Sequence, residues 1–123
     1  MAARIEEVNL SDTAVKIEKE NVGKVNSNGA PEKHIPQVTM RGADVTVTVP
    51  HVMDPDKPHF IQYIWLREVT SGDIAVVREF QSSDLGPPTL RVTVPKGVKL
   101  KPALFCNLHG LWEGDEFKIG RFA

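Results

Sequence analysis

One cysteine, one tyrosine and two tryptophans in 123 residues leave this chain short of the side chains that usually staple or decorate a small fold. A single cysteine closes no internal disulfide, which excludes a disulfide scaffold and fits a reducing compartment, so a cytoplasmic location is expected. Long apolar runs are also missing. None approaches the ~18 residues of a membrane span, and the stretch Met1-Ala2-Ala3-Arg4-Ile5-Glu6-Glu7 lacks the basic and then apolar regions of a signal peptide. Nor does charge of one sign dominate: 15 Lys and Arg against 16 Asp and Glu leave a net charge of -1. General affinity for nucleic acid or an anionic membrane needs a basic excess, so neither partner is expected and any attraction for anions must be local. The length suits one core, not two.

What the chain has in quantity is short alternating runs. Asp44 to Val49 alternates Val with Thr, the pattern of a half-buried strand. Further strands are predicted through Val38 and over Phe60–Leu66, Ile74–Phe80, Thr89–Val94, Leu100–Phe105 and Glu116–Ile119. The Ser71-Gly72-Asp73 turn makes the third and fourth a hairpin. About seven short strands between Gly, Pro, Asn and Asp turns predict an all-β fold, an antiparallel β-sandwich, over residues 31–123. Residues 1–30 are charged and end in the turn-rich run from Val25 to Pro31, and read as an N-terminal arm or linker. Within it Leu10, Ala14 and Ile17 fall at helical spacing behind the capping candidates Ser11 and Asp12, so the segment Leu10–Glu20 is either a short helix or an arm packed on a neighbouring subunit.

Candidate chemistry gathers on the scarce residues. Cys106 and His109 form a Cys-x2-His step on a turn, where side chains three apart can reach one metal ion, and Gly110 removes a Cβ behind them. His34, His51 and His59 also fall at predicted strand ends or in loops, so all four histidines and the only cysteine could converge at one end of the sandwich. Imidazole with thiolate suits zinc, copper or iron and argues against magnesium and calcium. Five donors exceed the four of a closed zinc site. Four imidazoles in a plane with an axial thiolate would leave one face open. Trp65, Trp112 and Tyr63 read as core or interface aromatics, Met53 as a gap filler, and Asp54, Asp56 and Lys57 as a solvated loop tip.

Three stretches now resemble a known family. Glu32-Lys33-His34-Ile35-Pro36, then Pro50-His51 with His59-Phe60-Ile61 through Leu66, then Cys106-Asn107-Leu108-His109-Gly110-Leu111-Trp112 are similar to the signatures of superoxide reductases of the neelaredoxin and desulfoferrodoxin type. The resemblance implies an immunoglobulin-like sandwich and one mononuclear iron per subunit, held by His34, His51, His59 and His109 in the plane and Cys106 on the axis. It further implies that Glu32 occupies the sixth position of the oxidised iron and that Lys33 attracts superoxide. The implied activity is reduction of superoxide to hydrogen peroxide with an electron from a rubredoxin-like donor, in a homo-oligomer, dimer or tetramer. The chain departs from the family in having Val52 where proline is usual and seven residues between His51 and His59. It has no Cys-x2-Cys pair, so the one-iron form is expected. Two rivals remain. A blue-copper carrier would need a methionine beyond His109, whereas the last is Met53. A structural zinc site, or a metal-free sulfur-carrier or interaction domain, could use the same fold.

Overall fold

The computed structural model describes residues 10–21, 34–56, 58–95 and 97–119. Glu32, Lys33 and Lys57 lie outside these residues. Those described form a helix, α1 (Leu10–Glu20), and eight strands: β1 (Gln37–Arg41), β2 (Asp44–Thr48), β3 (Ile61–Glu68), β4 (Ile74–Glu79), β5 (Thr89–Thr93), β6 (Lys99–Cys106), β7 (Gly110–Glu113) and β8 (Phe117–Lys118). Every pairing is antiparallel. One sheet runs β1-β2-β5; the other runs β4-β3-β6-β7, with β8 also on β6.

Alternation along the strands makes the sandwich. Val45 and Val47 of β2 and Leu90 of β5 share one core with Ile64 and Leu66 of β3, Leu100 and Leu104 of β6, and Trp112 of β7. The opposite face of the larger sheet is not solvated. Ala14 and Ile17 of α1 bury it at Trp65, Ala103 and Leu111, with Tyr63, Ile74, Val77 and Phe105 packed around them. This second layer explains why β3 reads as a near-continuous apolar run instead of alternating: both of its faces are covered. The apolar spacing of α1 faces this sheet. Glu18 accepts a 2.9 Å hydrogen bond from the Trp65 indole and forms an ion pair with Arg67. The otherwise sealed Trp65 N–H is thereby satisfied, as a buried indole requires.

The structure has one strand more than the seven expected. β7 was hidden because Leu111 faces α1 and Trp112 faces the main core, leaving adjacent apolar residues and no period of two. β3 also begins at Ile61, one residue later than the expected Phe60, so His59 lies two residues before the strand. Ile61 pairs with Cys106 while Tyr63 pairs with Phe105, so Gln62 is an extra residue on β3. The bulge turns Ile61 from the face of Tyr63 to the inner face, beside Ile64 and Cys106.

Candidate metal centre

Cys106 is the last residue of β6 and pairs with Gly110, the first of β7. Between them Asn107, Leu108 and His109 form a three-residue hairpin loop, a connection that calls for a left-handed residue near its end. Gly110 supplies it, with φ of 81°. The Cys-x2-His step is thus a β-hairpin: the strand seals Cys106 at 0% exposure, and the turn swings His109 back over it, Nδ1 lying 3.8 Å from the sulfur.

The other three histidines lie outside the named strands. His34 is 2% exposed and its ring stacks on Trp112, centroids 4.5 Å apart and planes within 12°. The neighbouring Pro36 comes so close to Gly114 that a Cβ there would meet its ring at 3.0 Å, which is why the 34–36 segment can lie against the end of β7. His51 follows β2, its backbone N–H donating to the Val49 carbonyl at 2.8 Å. Its Nδ1 lies 2.7 Å from the Val52 carbonyl. A carbonyl only accepts, so Nδ1 carries the proton and Nε2 is left with its lone pair, 3.6 Å from the Cys106 sulfur. Burial lowers the His51 pKa from 6.5 to about 4, with the Val52 carbonyl opposing the shift and the other three histidines adding to it. His51 is therefore neutral at pH 7, the form that ligates. His59 lies on a bridge with Asp54, made of two backbone hydrogen bonds of 3.2 and 3.3 Å. Asp54 is thus part of that bridge, and its carboxylate also accepts from the Asp56 backbone.

The imidazoles close into a ring. His34 neighbours His51 and His109, and His59 neighbours the same two, with centroids 4.6 to 4.9 Å apart and planes 66° to 89° from parallel. One donor atom from each of the four histidines and Cys106 lies within 4.8 Å of all the others. His34 Nε2 and His109 Nδ1 are 3.1 Å apart. Nitrogens bound at about 2.1 Å to one ion stand about 3 Å apart when adjacent at right angles and about 4.2 Å apart when opposite. The cluster therefore already has the dimensions of a mononuclear metal centre, and its imidazole and thiolate donors fit iron, copper or zinc. A blue-copper site would use only two histidines. The rim is open: Ile35, Val52 and Leu108, each beside a histidine in sequence, are 40%, 59% and 61% exposed. The sulfur and the rings of His34 and His51 are buried, and His59 and His109 are the less buried members of the cluster.

Asn107 had no assigned role in the sequence. Its backbone N–H donates to the Phe60 carbonyl at 3.2 Å, its side-chain Oδ1 accepts from the Phe60 N–H at 2.9 Å, and its Nδ2 donates to the Pro58 carbonyl at 2.7 Å. No local signal could have revealed this, because both partners are some fifty positions away in sequence. Trp112, read as a core aromatic, is that and also the platform for His34.

Fold and cluster together define a class: an antiparallel β-sandwich carrying a four-histidine, one-cysteine cluster at one end. The sequence model of the desulfoferrodoxin family matches residues 26–115, and the chain belongs to that family. It is 34% identical over 83 residues to a desulfoferrodoxin homolog of Methanothermobacter thermautotrophicus, covering 67% of this chain and 63% of the relative. It is also 34% identical over 90 residues to a desulfoferrodoxin of Clostridium acetobutylicum, covering 72% and 66%. The chain thus spans slightly less than two thirds of these relatives' lengths. Among solved structures, the superoxide reductase from Treponema pallidum superposes with a TM-score of 0.60 at 32% identity, covering 74% of each chain. A variant of the superoxide reductase (neelaredoxin) from Ignicoccus hospitalis gives 0.57 at 26% identity, covering 72% of this chain and 82% of that one. No helix among the described residues is long and apolar enough to cross a membrane.

Proposed function

We propose that this chain is a superoxide reductase, converting superoxide, one electron and two protons into hydrogen peroxide at a single iron held by His34, His51, His59, His109 and Cys106. The observation that carries this reading is the convergence of four imidazoles and one buried thiol within 4.8 Å, beside the exposed residues Ile35, Val52 and Leu108. Iron held by these residues would supply the electron, and a rubredoxin-like donor protein would return it.

The chain's own residues set the conditions. Neutral imidazoles and one thiolate leave a ferrous site with a net charge of about +1, which favours an anion on the open side. The Cys106 thiolate, held in the sealed interior, would donate electron density to a bound iron and so make the oxygen product more basic and easier to protonate. Protons come directly from water, since the rim is exposed. Lys33 would add positive charge that attracts superoxide, and Glu32 would be the carboxylate that ligates the oxidised iron, the roles that the resemblance implies for them. Delivering a superoxide pulse to the reduced, iron-loaded protein tests this. One peroxide per superoxide with no dioxygen released is expected. Dioxygen release would make the protein a dismutase, and no acceleration of superoxide decay would remove the enzymatic reading.

A further inference from the structure

β6 and β3 pair as far as Cys106 and Ile61. One residue further on, the Asn107 N–H to Phe60 carbonyl bond is the last main-chain rung, because the hairpin then carries the chain away towards β7. The two polar groups that a longer β6 would have met next on the approaching chain are the Phe60 N–H and the Pro58 carbonyl. Both are met instead by the Asn107 side chain. A carboxamide is chemically a peptide group, with one acceptor and a donor in the same plane, so it substitutes for the missing backbone. Its orientation is unambiguous: Phe60 N–H can only donate and the Pro58 carbonyl can only accept.

The residue between those two groups is His59. His59 also takes part in the Asp54 bridge, two long backbone bonds at the end of a loop, and its ring meets those of His51 and His109 edge-on. By contrast His34 rests on Trp112, His51 is tied to Val52, and His109 belongs to the same hairpin as Cys106. We propose that Asn107 is the positioning residue for His59, a side-chain extension of β6 that grips the chain on either side of this histidine and holds its ring in the cluster. The inference rests on the metal-site reading and adds to it which residue sets the third imidazole. It also accounts for how the seven-residue step between His51 and His59 is tolerated: the far end of the loop is registered against the hairpin, so the intervening chain need not fix it.

The test is a double-mutant cycle read as ferrous-ion affinity, measured anaerobically against a competing chelator with no substrate present. Asn107→Ala is expected to weaken binding by about tenfold to a hundredfold, the usual cost of losing a group that orients a ligand. In a His59→Ala background the same substitution is expected to change affinity by less than twofold, since the group it positions is gone. In histidine-selective NMR of the metal-free protein, the His59 ring signals should move in Asn107→Ala while those of His34 stay in place. Equal losses in both backgrounds, or unchanged affinity in Asn107→Ala, would overturn the proposal while leaving the metal site standing. A wild-type protein that takes up no iron would overturn both. If Asn107→Ala does not fold, Asn107→Asp goes through the same cycle by the same criteria; it keeps the acceptor for Phe60 and sets a carboxylate oxygen against the Pro58 carbonyl.

Discussion

The candidate centre has two halves built on different principles. Cys106 and His109 come from one hairpin, three residues apart, with strand pairing on one side of them and Gly110 on the other. His34, His51 and His59 come from three separate stretches outside the named strands: His34 stacks on an indole, His51 bonds a carbonyl, and the residues on either side of His59 bond the Asn107 carboxamide. The strand-held half is local and follows from backbone geometry. The loop-held half is non-local, and two of its three supports, Trp112 and Asn107, belong to the hairpin or to the strand that leaves it. The hairpin therefore does two things, supplying two donors and carrying two of the three supports in the other half.

The sharpest way to break that relation is Trp112→Ala. Trp112 is 1% exposed, and deleting a buried indole costs about 3–5 kcal/mol. It also takes the stacking surface from His34, so iron affinity should fall further than in Trp112→Phe, which keeps an aromatic face; chemical denaturation and iron titration read the two effects separately. Equal affinities in both variants would show that His34 does not depend on the platform.

Acid should strike the loop-held half next. His51 has an ordinary pKa of 6.5 that the fold lowers to about 4, so the unfolded chain accepts a proton that the folded one refuses. Stability from this group is full above pH 6.5 and is lost as pH falls towards 4. The metal-free protein should melt at a lower temperature at pH 4.5 than at pH 7, and His51→Gln should flatten that dependence. A pH slope unchanged by the substitution would assign the acid sensitivity elsewhere.

Gly110→Ala probes the strand-held half alone. A Cβ at φ of 81° costs about 1–2 kcal/mol, visible as a lower denaturation midpoint. The smallest effect is expected from Lys33→Ala, which should leave stability and the iron spectrum unaltered. It should slow the encounter with superoxide and weaken its dependence on salt; equal salt slopes in mutant and wild type would deny Lys33 a steering role.

The same division governs what the sequence alone made legible. The helix Leu10–Glu20 and most strands were readable because their periods are local. The five donors were readable as a group because scarce residue types fell at strand ends. β7 was not, since its side chains serve two cores on opposite faces. The bulge at Gln62, the Glu18 bond to Trp65 and the Asn107 clamp each join residues more than forty positions apart, and no window of sequence contains both partners.

The central claim is that one ion sits among these five side chains with the Cys106 sulfur as a ligand. Anaerobic titration of the metal-free protein with ferrous iron, followed by oxidation, tests it most directly. One equivalent per chain is expected, with a visible sulfur-to-iron absorption band on oxidation that Cys106→Ala abolishes. A band that survives that substitution, or a protein that binds no iron and is isolated colourless with one zinc per chain, would contradict the account.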